Sequence, residues 1–220
     1  MSEVMITVRG EHEVRVAPER AVVSLNVSLE GPDRADVVAR TTALADPIRA
    51  GISAGETAGA VTSWTSRRLA VRSERPWSND GTRLALVHHA TVDFTATFAD
   101  FGALSLWVAE VSSIDGVTIL GTDWILTPDT RARVEQEVST EAVRTAVTRA
   151  GAYAAALGLS TVTPIEIADA GLIADGPGPA PMLRAGAMLA LAAPPDSSGV
   201  ELQGDDITVS ATVEARFVAA

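Results

Sequence analysis

Two alternating runs open the chain, joined by a Pro18-Glu19 corner. Leu25, Val27 and Leu29 alternate with Ser24, Asn26, Ser28 and Glu30, the two-residue period of a half-buried strand. Pro18 suits a strand start, since it cannot donate to a ladder. The period then lengthens. Val38, Thr42, Ala45 and Ile48 predict a helix over 33–50, with Pro32 in its first turn and Asp33 and Asp36 at the positive end of its dipole. Pro47 is expected to kink or shorten it, and the Gly/Ala-rich stretch 51–60 reads as a link. Residues 61–74 and 82–98 predict a β-hairpin, because Asn79-Asp80-Gly81 has the turn chemistry such a connection needs.

Phe101, Leu104, Trp107, Val108 and Val111 mark a short amphipathic helix. A strand is expected over 116–127, with Ile119 on one face and Leu120, Trp124 and Leu126 on the other. Thr127 and Pro128 predict the cap and first position of the longest helix, 129–157, and Gly158 its left-handed stop. Val143, Val147, Ala150, Ala154 and Leu157 read as its apolar stripe. Strands over 163–168 and 206–218 close the pattern.

These elements predict an α+β fold of one domain over 1–220. Two βαββ units, about 20–98 and 116–218, would share a core of mainly antiparallel sheets packed by one long and two shorter helices. Residues 174–199 are rich in Pro, Gly and Ala and too long for an ordinary loop. Their Met182, Leu183, Met188, Leu189 and Leu191 give apolar surface for docking on a neighbouring subunit.

Composition narrows function by exclusion. With 47% hydrophobic residues the chain can bury a core. A net charge of -11 repels polyanions, so nucleic acid is not an expected partner. All 17 basic residues are Arg, which removes a Lys Schiff base and a P-loop Lys; the absence of Cys removes thiol chemistry. No apolar run reaches the length of a membrane span. The first five residues carry no secretory pattern, so a cytoplasmic location is expected, and a periplasmic one only if an export signal has been removed.

Four segments carry a family likeness: Val8-Arg9-Gly10 through Pro18 into 22–29; Gly121-Thr122-Asp123-Trp124-Ile125-Leu126; the Ala-rich helix ending Tyr153 to Gly158; and Pro181 to Ala185 with the 204–213 tail. In this order they resemble the SIMPL-domain family, which includes bacterial YggE-like periplasmic proteins. The resemblance implies two βαββ units, no established enzymatic activity, a tendency to self-assemble, and association with the envelope and stress tolerance. It assigns no catalytic residues. The chain departs from the family pattern at His12, where a second Gly is common, and is expected to differ also in having no export signal like that of the periplasmic relatives.

Candidate chemistry is sparse. Gly51-Ile52-Ser53-Ala54-Gly55 matches a nucleophile elbow in letters, but that motif needs a strand before the Ser and a helix after it. Here a helix precedes it, so a helix-ending loop is the expected reading. His88 and His89 are neighbours on a strand and point to opposite faces; with His12 they show no metal-ligand spacing. No metal or cofactor is expected. Arg68, Arg72 and Arg75, with Arg67, form a basic patch that reads as ion pairing or, more sharply, an anion site. Trp107 and Trp124 fit core stripes, whereas Trp64 and Trp77 flank the hairpin and read as interface residues. The expected function is therefore a non-enzymatic, self-assembling homo-oligomer. The alternatives are a small-molecule binding or stress-response module and a Ser53 hydrolase.

Overall fold

The computed structural model describes residues 3–173 and 202–220. It is α+β, in the order β1 (Val4–Val16), β2 (Arg20–Gly31), α1 (Arg34–Thr57), β3 (Val61–Ser66), β4 (Ala70–Glu74), β5 (Val87–Phe98), α2 (Phe101–Ser112), β6 (Val117–Ile125), α3 (Pro128–Ala156), β7 (Val162–Asp169) and β8 (Ile207–Ala219). Its strand pairs are antiparallel. The described residues divide into two compact units, 17–126 with 202–205, and 3–16 with 127–173 and 206–220. Each unit holds a cluster of buried hydrophobic side chains.

The inner unit, 17–126, holds a sheet in the order β3-β5-β2-β6, with β4 continuing the β3 edge along β5. Central β2 buries Ala21, Val23, Leu25 and Val27 on one face, as the alternation dictates. Its helix α1 starts at Asp33, whose carboxylate accepts from the Asp36 backbone N–H at 2.8 Å. Pro32 thus precedes the cap rather than opening the helix. The helix runs through Pro47 to Thr57, beyond the expected end at 50. Val37, Thr41, Ala45, Ile48 and Ile52 form its buried face. The doublets Val37-Val38 and Thr41-Thr42 fit two helical registers equally, and Ile52, in the presumed link, decides between them. Gly55 allows close contact, since a Cβ there would stand 3.1 Å from Val61.

A bulge corrects the reading of β6. Ser24 pairs with Gly121 but Leu25 with Ile119, so Leu120 is unpaired and exposed. The extra residue reverses the alternation, and Ile119 and Trp124, expected on opposite faces, both pack on the core.

The outer unit is the same βαββ arrangement. Its sheet order β1-β8-β7 under α3 matches β2-β5-β3 under α1. The strand expected to open the second repeat is β6, which pairs with β2; β1 takes that place instead. Thr127 and Pro128 start α3 and Gly158, at φ 76°, stops it, as expected. The buried stripe is Val134, Val138, Ala142, Ala146, Ala150 and Ala154. Of the expected stripe, Ala150 and Ala154 are buried, but Val143 is only partly buried and Val147 and Leu157 are exposed, one step around the helix from the buried face. Small residues turn inward because Gly10 of β1 lies against the helix backbone: a Cβ there would overlap the Ala142 carbonyl and sit 2.7 Å from Ala146 N. Arg149 also donates to the Arg9 carbonyl at 2.7 Å.

Arg9 faces Glu214 across the β1–β8 ladder, with Nη2 2.9 Å from Oε1. That charged hydrogen bond, helped by backbone N–H groups of Gly171 and Ile173, holds the Glu214 carboxyl below the usual range; the same bond raises Arg9. A depressed carboxyl adds stability that is present above its unfolded-state pKa and lost as pH falls through its folded value. Glu214→Gln is therefore expected to be less stable than wild type at neutral pH. The gap should close as pH drops below the carboxylate range, read from thermal midpoints across a pH series. A gap that is constant with pH contradicts this account.

Candidate functional site

The Gly51–Gly55 stretch lies inside α1, with Ser53 on its exposed face. No strand delivers that hydroxyl to a sharp turn, so the geometry an elbow requires is missing. His88 Nδ1 shares a 2.7 Å hydrogen bond with the Ser73 hydroxyl on β4. His89, on the other face, lies between Glu30 (3.3 Å) and Glu74 (3.1 Å); its Nε2 is buried off the hydrogen-bonding direction. His12 sits on β1 opposite Ala211, in a shallow polar pocket with Glu11 and Glu13. Among the described residues no three His, Asp or Glu side chains come together as a metal centre.

Trp107 and Trp124 pack on the inner cluster, in ring contact with Phe98 and Phe101. Trp64 is partly buried against the same cluster and donates to Glu56 at 2.9 Å. Trp77 is 62% exposed at the hairpin tip, with the Arg83 guanidinium 5.1 Å over its ring. Met182, Leu183, Met188, Leu189 and Leu191, expected at an interface, lie outside the described residues.

Two grooves stand out, and they occupy the same place in the two βαββ units, between the helix and the outer edge strand. In the inner unit the edge ladder breaks at Arg67-Arg68-Leu69, between β3 and β4, keeping one bond from Arg67 N to the Asp93 carbonyl at 2.9 Å. The groove beside that break, of about 260 Å³, is lined by Arg49, Arg67 and Arg68 with Ala45, Leu69 and Val92. Arg72 and Arg75 are exposed further along the edge and do not line it. Arg49 was not a candidate from sequence: it sits 19 positions from Arg68 by number, and only α1 packing on β5 joins them.

In the outer unit the groove is larger, about 410 Å³, and apolar. Val143 and Val147 of α3 line one wall; Pro164, Ile165 and Ile167 of β7 line the other, over Phe217. Val147 is 48% exposed, Ile165 51% and Ile167 55%. Sequence reading found the two valines but assigned them inward, and did not single out the β7 isoleucines. β7 is an edge strand, and Ile165 bulges where its register shifts between Pro164 and Glu166. Glu166 is held by Arg216 at 3.0 Å.

A family model described as SIMPL, protein of unknown function (DUF541), matches residues 6–217. The chain belongs to the SIMPL family. No curated protein matches it. The SIMPL match covers both βαββ units, so each groove lies within the family domain. No helix among the described residues is long and apolar enough to cross a membrane.

Proposed function

We propose that this SIMPL protein works by associating with copies of itself rather than by catalysis. The observation that carries the reading is the bare apolar groove between α3 and β7, where exposed aliphatic side chains gather on both walls. Contiguous exposed apolar surface of this kind marks an interaction site. A second copy is the fitting occupant for two reasons. The groove offers both a hollow and projecting isoleucines, as a two-fold contact of one patch with itself requires. The charge at its rim, Glu166, is already neutralised by Arg216, so two such faces meet without like-charge repulsion. Pro164 and the bulge blunt the β7 edge, which favours contact through the face over strand addition. The helical setting of Ser53 supports a non-catalytic role in the same reading.

Light scattering on a size-exclusion column tests it. The wild-type chain is expected to run as an oligomer at micromolar concentration. Ile167→Glu, at an exposed position, is expected to keep the circular dichroism spectrum and weaken association by at least about tenfold, or about 1.4 kcal/mol. A wild-type chain that is strictly monomeric, or an oligomer indifferent to Ile167→Glu, defeats the proposal.

A further inference from the structure

The two grooves lie between corresponding elements but differ in chemistry. Where α3 presents Val143, Ala146 and Val147, α1 presents Thr42, Ala45 and Arg49; where β7 presents Pro164 to Ile167, the inner unit's edge presents Ser66 to Leu69. One architecture therefore carries an aliphatic trough in one unit and an arginine-rimmed one in the other. The second arises in a protein of net charge -11, where most arginines can find carboxylates. Arg68 has no ion-pair partner among the described residues. Arg49 gives one N–H to Asp46 at 2.6 Å, and Arg67 reaches Asp93 only at 4.0 Å. A guanidinium has five donors, so Arg49 keeps capacity for a second acceptor. Below the rim, Ala45 and Val92 are buried and Leu69 half-buried, forming an apolar floor. Arg49 is fixed above it, its Cζ 6.0 Å from the centre of the Phe94 ring.

We propose that the groove between α1 and the β3–β4 break binds a small amphiphilic anion, with its oxyanion on the guanidinium groups of Arg49 and Arg68 and its apolar part on Ala45, Leu69 and Val92. Arginine forks suit carboxylate and phosphate groups alike, so the head group is defined as an oxyanion. The apolar floor sets the requirement for a short hydrocarbon or ring attached to it. This site is independent of the self-association groove, which lies in the other unit.

Titration of the full chain with octanoate, octyl phosphate, acetate and inorganic phosphate, followed by calorimetry and by amide chemical shifts, tests the assignment. One or both octyl anions are expected to saturate, with the largest shifts at 42–49 and 66–69. Acetate and phosphate alone should bind at least about tenfold more weakly. Arg68→Ala and Arg49→Gln are each expected to cost about tenfold, the loss of a charged hydrogen bond. Arg68→Lys should recover part of that loss, because it keeps the charge without the fork. Both positions are solvent-facing, so the thermal midpoint should barely move. Three results would each overturn the proposal: neither octyl anion saturates, the head groups alone bind as tightly, or the shifts fall away from these two segments. Unchanged affinity in the Arg49→Gln/Arg68→Ala double variant would do so as well.

Discussion

Gly10→Val is expected to destabilise the outer unit by about 3 kcal/mol or more, the upper range for overpacking a close-packed interior. Glycine often serves a fold through its backbone freedom, but Gly10 needs none, since it lies in regular β1 opposite Val213. Its role is the absence of a side chain. The ideal Cβ would overlap the Ala142 carbonyl and sit 2.9 Å from Ala146 Cβ, so the helix as a whole would have to lift. Lifting α3 also separates Ala146, Ala150 and Ala154 from the sheet and stretches the Arg149 bond to the Arg9 carbonyl. The gain from placing a β-branched residue in a strand, at most about 1 kcal/mol, does not offset this. The readout must suit the unit. All four tryptophans belong to the inner unit, so their fluorescence is the wrong probe. Amide exchange across β1 and β8 is the right one, and protection should fall there while persisting in β2 and β5. A variant whose β1 and β8 amides exchange as in wild type contradicts the proposed role of Gly10.

The same contact shows what the sequence could and could not disclose. Element types follow from local chemistry: the β2 alternation, the Asn79-Asp80-Gly81 turn and the Thr127-Pro128 start of α3 all lie within a few residues of what they determine. The buried face of a helix was less legible wherever two apolar or two small residues stand side by side. Val37-Val38, Ala142-Val143 and Ala146-Val147 each satisfy two registers, and the partner surface chooses. For α3 that partner is Gly10, more than 130 positions earlier, and a backbone that close admits alanine in preference to valine. The β6 bulge escaped for a related reason, since nothing in Leu120-Gly121 reveals that β2 will skip a residue.

The grooves were legible in halves. Arg67 and Arg68 stood out as basic residues in an acidic chain, but the groove's third arginine, Arg49, comes from a helix whose register the sequence left open. Arg72 and Arg75 extended the patch on paper because strand spacing was assumed to run unbroken through 67–69, where the ladder in fact breaks. On the apolar side, Val143 and Val147 looked like core because hydrophobicity alone does not separate a buried stripe from an exposed one.

Phe94→Ala should lower the stability of the inner unit by about 3–5 kcal/mol, the range for deleting a buried aromatic ring. Phe94 is 1% exposed near the middle of β5, paired with Leu25 on one side and Ser66 on the other. Both neighbouring strands are fixed by ladders, so the sheet cannot close over the lost volume, and an unrelaxed cavity adds to the transfer cost. Phe94→Leu keeps most of that volume and should cost less than about 1.5 kcal/mol. Trp77→Ala, at an exposed hairpin tip, should stay within about 0.5 kcal/mol. Denaturant unfolding followed by tryptophan emission measures all three variants, because Trp64, Trp107 and Trp124 pack on the cluster that contains Phe94. The ordering is as telling as the size. If Trp77→Ala cost as much as Phe94→Ala, the hairpin tip would be bearing stability that the burial pattern assigns to β5. The ring also supports Arg49 from below, so Phe94→Ala should weaken octyl-anion binding beyond what Phe94→Leu does under conditions where both variants are folded, linking the core of the inner unit to the groove above it.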